Sequence, residues 1–139
     1  MIAKVTTVTL REQSISPKKA RLVMNLIKGK NALNALDILA NTDKKSARLV
    51  HSLLKSAIDS AKNKDFKAED LMIVESIAQE GKRMKRFFIR ARGRSAKYQK
   101  RMSHLKISLA KNDMVVKSRK GKKETAEKVE AKVKEKNNG

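Results

Sequence analysis

The sequence predicts an α+β domain with a long projecting β-hairpin, and three observations predict it. Apolar residues recur at steps of three and four in three segments between residues 17 and 61, the period of a helix that buries one stripe. The period falls toward two near residues 2–10, 71–78 and 105–109, as in strands with one buried face. Between the last two strands lies a long Gly-bearing run without a single acid, which reads as hairpin arms that overshoot the sheet. With 139 residues and 40% hydrophobic content, the chain has the length of one domain and apolar material for one modest core.

Each element has its own signal. Ile2 to Leu10 alternates imperfectly with Thr, putting Ile2, Val8 and Leu10 on one face and Val5 on the other. Ser16-Pro17 opens the first helix: the Ser hydroxyl can accept from the first free helical N–H groups, and Pro suits a position that needs no donor. Ala20, Val23, Met24 and Ile27 follow at helical spacing, and Gly29 is placed to end the helix in a left-handed conformation. A short second helix over Ala32 to Ala40 carries the stripe Ala32, Leu36, Leu39. The third begins near Thr42 or Asp43 as cap and shows Ala47, Val50, Leu54, Ala57, Ile58 and Ala61. Lys62 to Asp65 reads as a loop, after which Leu71, Ile73 and Ile77 face one way along a strand. Leu105, Ile107 and Leu109 alternate with His104, Lys106 and Ser108 in another, with one wet face. If ten residues of each hairpin arm extend, the projection reaches about 30 Å at about 3.3 Å per residue. From Lys117 on the chain is Lys/Glu-rich, with Val129 and Val133 as nearly its only apolar groups, so the tail 112–139 is expected to be disordered, or a marginal helix supported by pairs such as Glu124–Lys128 and Glu130–Lys134.

Charge is the extreme quantity. Lys and Arg number 35 against 14 Asp and Glu, a net charge of +21. Such a surface repels itself until a polyanion neutralises it. The excess is concentrated, because between Glu80 and Asp113 there are twelve basic residues and no acid: Lys82, Arg83, Lys85, Arg86, Arg90, Arg92, Arg94, Lys97, Lys100, Arg101, Lys106 and Lys111. A charge run is usually a solvated face, but here no carboxylate is available at i,i+4 spacing to compensate it. Arg binds phosphate bidentately, and each neutralised phosphate releases condensed counterions. In Arg90-Ala91-Arg92-Gly93-Arg94, an extended arm would line one edge with three guanidinium groups and keep the other thin. Phe87 and Phe88 interrupt the run and have two readings: stacking on unpaired bases, or closing the hairpin against its partner strand. Lys18, Lys19, Arg21, Lys28 and Lys30 form a second cluster around the first helix, opposite Val23 and Ile27.

Other chemistries lack residues to rest on. Without cysteine, disulfide scaffolds, thiolate zinc sites and cysteine nucleophiles are excluded. His51 and His104 have no ligand-spaced partner, and Gly29, Gly81, Gly93, Gly121 and Gly139 are too scattered for a phosphate loop. Glu69, Asp70 and Glu75 read as offsets to local positive charge rather than an acid/base pair. No apolar run suits a signal peptide or a membrane span, so a soluble, unexported chain is expected. An architectural DNA-binding protein with a basic β-arm is the competing class, and an RNA-directed enzyme is third.

Several motifs in order point further: Ser16-Pro17-Lys18-Lys19-Ala20-Arg21-Leu22-Val23, Ile27-Lys28-Gly29-Lys30, Leu54-Lys55-Ser56-Ala57, Glu80-Gly81, Lys85-Arg86, Arg90-Ala91-Arg92-Gly93-Arg94 and Lys100-Arg101-Met102-Ser103-His104-Leu105. Together they closely resemble the bacterial large-subunit ribosomal protein L-twenty-two family, collinearly over about residues 1–111. The resemblance implies three helices packed on a small three-stranded antiparallel sheet with a protruding hairpin at about residues 80–100. It implies a non-catalytic structural component of the large ribosomal subunit in the cytoplasm, which binds large-subunit ribosomal RNA, supports its assembly and lines the nascent-peptide exit tunnel with its hairpin. The implied partners are that RNA, neighbouring ribosomal proteins and the nascent peptide, with no cofactor, metal, membrane or small-molecule substrate. Carried onto this chain, Lys18, Lys19, Arg21, Lys28, Lys30, Lys100, Arg101 and His104 would hold RNA for the globular part. Lys82, Arg83, Lys85, Arg86, Arg90, Arg92, Arg94 and Lys97 would do so for the hairpin, and Met84, Lys85, Arg86, Phe87, Phe88, Ile89, Arg90 and Ala91 would line the tunnel. Lys82 and Ile89 stand where many family members carry proline.

Overall fold

Strand-forming residues from the two ends of the domain pair with each other, and the helices between them fold back over one face of the resulting sheet. A computed structural model describes residues 5–112. The order is β1 (Thr6–Gln13), α1 (Pro17–Ile27), α2 (Ala32–Ala40), α3 (Lys45–Lys62), β2 (Leu71–Ile89) and β3 (Ser95–Lys111). The sheet order is β1-β3-β2, and both pairings are antiparallel. β3 is therefore the central strand, and the predicted α+β architecture with a long hairpin is the observed one. The reading of 112–139 lies, apart from Asn112, outside the described residues, as does Ile2.

The core is where the helical stripes meet the alternating strands. Ala20, Val23, Met24 and Ile27 of α1 are buried, as are Ala47, Val50, Leu54, Ala57, Ile58 and Ala61 of α3, the stripes the spacing predicts. Opposite them Leu71, Ile73, Leu105, Ile107 and Leu109 have no exposed surface. Ser76 joins the layers through its hydroxyl, which donates to the Met24 carbonyl at 3.0 Å in the buried interior. Gly29, at φ +76°, turns the chain after α1 as expected. That turn is stitched to the sheet, because Gly29 N–H donates to the Ile73 carbonyl and Ile73 N–H to the Lys30 carbonyl, both at 2.9 Å.

Four expectations need correction. Ser16 precedes α1, but its backbone carbonyl, not its hydroxyl, makes the capping bonds, accepting from Lys19 and Ala20 N–H. Neither Thr42 nor Asp43 caps α3; the cap is Lys44, because the Thr42 hydroxyl bonds backward to the Ile38 carbonyl at 2.7 Å. Ile77 does not face the core with Leu71 and Ile73. A bulge between Ile73 and Glu75 inserts one residue, which reverses the faces, so Ser76 and Ala78 become buried and Ile77 pairs with Lys106 on the other side. The last strand's second face is only partly wet: Ser108 is buried beside its neighbours on the central strand, accepting from the Thr7 hydroxyl at 3.0 Å and donating to the Glu75 carboxylate at 3.1 Å. Lys106 closes that chain with a 3.6 Å ion pair to Glu75.

Candidate nucleic-acid interface

Beyond Glu80 and Ser103 the hairpin leaves the domain, and nothing in the described chain packs on either of its faces. Pairing continues from Arg83↔Arg101 to Ile89↔Ser95. Neither side of such an arm needs to be apolar, so alternation disappears and basic residues can occupy both. Lys82, Arg83, Lys85, Arg86, Arg90, Arg92, Arg94, Lys97, Lys100 and Arg101 are all exposed. Directly paired residues share a face, so Arg83, Arg101, Lys85 and Lys97 lie on one side and Arg86 and Lys100 on the other. Among the described residues, Arg83 alone of these ten has a carboxylate partner, Glu80.

The tip differs from the extended edge that the sequence suggests. Arg90 to Arg94 form the hairpin turn, closed by Arg90 N–H donating to the Arg94 carbonyl at 2.7 Å. Arg92 at φ +56° and Gly93 at φ +68° occupy left-handed backbone, which Gly93 accommodates without a Cβ. The three arginines therefore fan around a turn instead of lining one edge, because five residues must reverse the chain. Phe87, Phe88, Ile89 and Tyr98 are 63%, 55%, 82% and 49% exposed, so neither Phe is consumed by closing the hairpin. Arg90 lies over the Phe88 ring, 5.3 Å from its centroid.

At the arm's root two predicted clusters meet. Arg21 reaches from α1 to donate its Nε–H to the Ala78 carbonyl at 3.1 Å, on the strand that carries Glu80. The Arg83 hydrogen bond, its charge, and the charges of Arg101 and Arg21 hold the Glu80 carboxyl below its ordinary range. Glu80 thus stays ionised, and the pair with Arg83 persists until pH falls below the usual carboxylate titration. Lys28 and Lys30 are exposed at the opposite end of α1, so the five cations around that helix do not form one patch. His104 has a structural contact: its Nδ1 accepts the Glu12 N–H at 3.0 Å, holding the bulge that ends β1, where Glu12 adopts φ +52°.

Sequence reasoning missed two groups of cations. Lys44 and Lys45 lie beside Lys19, about 25 residues away in sequence, a proximity only the packing of α3 on α1 reveals. Arg11 and Lys106 flank His104 on the open face of the sheet. The doublet at 44–45, opening a helix with no acid in its first turn, was the available signal.

An arm with opposed like charges and exposed faces cannot hold itself rigid without its anion. In the isolated protein, hydrogen exchange is expected to be slow across 71–78 and 103–110 and nearly unprotected across Arg83–Lys97. Strong protection of the arm would contradict this.

The chain matches the ribosomal protein L22p/L17e family over residues 8–110. It is 45% identical over 101 residues to the large ribosomal subunit protein uL22 of Sulfurihydrogenibium sp. (strain YO3AOP1), covering 73% of this chain and 87% of that protein. It is 43% identical over 108 residues to the large ribosomal subunit protein uL22 of Staphylococcus aureus (strain JH9), covering 77% and 90% respectively.

Proposed function

The chain belongs to the ribosomal protein L22p/L17e family, and from that premise we propose that it is a cytoplasmic, non-catalytic component of the large ribosomal subunit that binds large-subunit ribosomal RNA and supports its assembly. Its globular part anchors the protein through the cations at the arm's root and around α1, in contact with RNA and neighbouring ribosomal proteins. Its hairpin lines the passage taken by the nascent peptide with Met84 to Ala91, the outer end of β2 and the start of the turn. One observation carries the reading: ten exposed cations stand on a two-stranded arm, and among the described residues only one of them has a carboxylate partner. Phosphates supply the missing anions, and a projecting arm delivers the cations between RNA helices that a flat face could not enter.

The division of labour is testable. Phosphate contacts made from a rigid domain avoid the ordering cost that a flexible arm incurs, so the domain is the anchor. Removing Met84 to Gly93 is expected to leave occupancy of purified large subunits near that of the intact protein while changing density along the tunnel wall. Absence of the deletion form from mature subunits would make the hairpin the anchor instead.

A further inference from the structure

The arm's two faces are not equivalent, and one of them carries a slot. Lys85 pairs with Gln99 and Phe87 with Lys97, so these four side chains stand on one face in two successive rows. The pair between them, Arg86 with Tyr98, points to the other face, where the Arg86 guanidinium donates to Met84 Sδ at 3.5 Å. These six residues line a recess of about 300 Å³. Rows two residues apart along a strand are separated by about 6.6 Å, at about 3.3 Å per residue. A flat ring held between two walls needs about twice the roughly 3.4 Å rise of stacked bases. The slot is therefore one aromatic ring wide.

The walls identify the ring that fits. Phe87 supplies an aromatic wall, 63% exposed, and the methylene stem of Lys85 faces it across the slot. Gln99 and Lys97 stand on the neighbouring strand, and the Gln99 side-chain amide, with donors and an acceptor, makes no hydrogen bond among the described residues. No acid occurs between Glu80 and Asp113, so neither lysine has a carboxylate beside it on the arm. An unpaired nucleobase answers all three features: a π-face for Phe87, an edge of donors and acceptors for Gln99, and flanking phosphates for the two ammonium groups. An aromatic side chain of a peptide would answer only the first. We propose that this slot seats one unpaired base of RNA, stacked on Phe87, bonded at its edge by Gln99 and held through its flanking phosphates by Lys85 and Lys97. The assignment rests on the RNA-binding reading above and adds a base contact where that reading names phosphates. Neutralising Lys85 and Lys97 also holds the two strands in register, so the slot and its occupant order together.

Substitutions at Phe87 test it in the full chain without touching the core, because the residue stands on the exposed arm. The probes are a short oligoadenylate and a ribose-phosphate strand of the same length and charge that lacks bases, compared at one salt concentration. The intact chain is expected to bind the oligoadenylate roughly tenfold more tightly than the abasic strand, the gain of one stacked base. Phe87→Ala is expected to remove most of that preference while leaving the slope of log affinity against log salt unchanged, since no phosphate contact is lost. Lys85→Gln/Lys97→Gln is expected to do the reverse, keeping the preference and making the slope shallower by about 1.4, at about 0.7 per phosphate. In Phe87→Trp the introduced indole is the only one in the chain, and its emission is expected to be quenched by the oligoadenylate and far less by the abasic strand. Equal quenching by both strands, or a base preference undiminished in Phe87→Ala, would overturn the slot while the RNA-binding reading stands. Quenching by an uncharged aromatic peptide and not by the oligoadenylate would overturn it in favour of a peptide occupant. Failure of the intact chain to bind either strand at low salt would overturn the functional reading and the slot together.

Discussion

Raising salt from 50 to 200 mM is expected to weaken binding of the full chain to large-subunit ribosomal RNA by about 10³–10⁵-fold, the loss for roughly 6–10 neutralised phosphates. The cations are available for that number: ten on the arm, with Lys18, Lys19, Arg21, Lys28 and Lys30 on the domain. Not all will reach a phosphate in one pose, and Arg83 and Arg21 are partly committed to Glu80 and the Ala78 carbonyl. Fluorescence anisotropy across a salt series reads the slope directly. A slope shallower than about −2 would mean that fewer than three phosphates are neutralised, and the acid-free segment would then be a solvated surface. Because counterion release is insensitive to sequence, the same experiment on duplex DNA separates an architectural DNA binder from an RNA binder by relative affinity, not by slope.

The largest expected effect on stability comes from one methyl-rich side chain in the central strand. Ile107 has no exposed surface and sits between Val8 of β1 and Ser76 of β2, beneath the helices. Ile107→Ala removes buried carbon and leaves a cavity among residues that cannot all relax, so a loss of about 2–5 kcal/mol is expected. That corresponds to a fall in Tm of very roughly 10–30 °C for a domain of this size. Ile89→Ala is the control: the same residue type, 82% exposed near the hairpin tip, and expected to change stability by less than about 0.5 kcal/mol. Thermal unfolding followed by circular dichroism distinguishes the two, and similar melting points would mean that the core has been misplaced.

That contrast also explains what could be read from sequence. The helices were legible because each presents one stripe to one core, and a single stripe leaves its period in the sequence, as Val50, Leu54, Ala57 and Ala61 do. The strands were legible only where they have a buried side. β2 reads as a strand to Ala78 and then goes silent for eleven more residues, since an arm with no covered face imposes no alternation. The bulge before Glu75 could not be anticipated, because Ser76 looks polar until its bond to Met24 is seen. At the tip, Gly93 permits a reversal, but a turn of five residues and an extended edge both accept arginine, alanine and glycine. Of the candidate interface, charge and its concentration were plain. The meeting of Lys19 with Lys44 and Lys45 was not, for it arises from the packing of two helix beginnings.

The bulge at the arm's root has a mechanical consequence. Gly81 and Lys82 together oppose Met102, so one strand carries an extra residue where the hairpin leaves the domain. A Cβ on Gly81 would lie 3.2 Å from the Met102 backbone and 3.2 Å from His104 Nε2, so the two strands are nearly in contact at this pivot. Seven paired residues of β2, from Arg83 to Ile89, extend beyond it, a lever about 23 Å long at about 3.3 Å per residue. A rotation of about 10° at the pivot would swing the tip through about 4 Å, close to the spacing of adjacent strands. The aim of Arg90, Arg92 and Arg94 is thus set far from them, by how tightly a glycine lets two backbones approach.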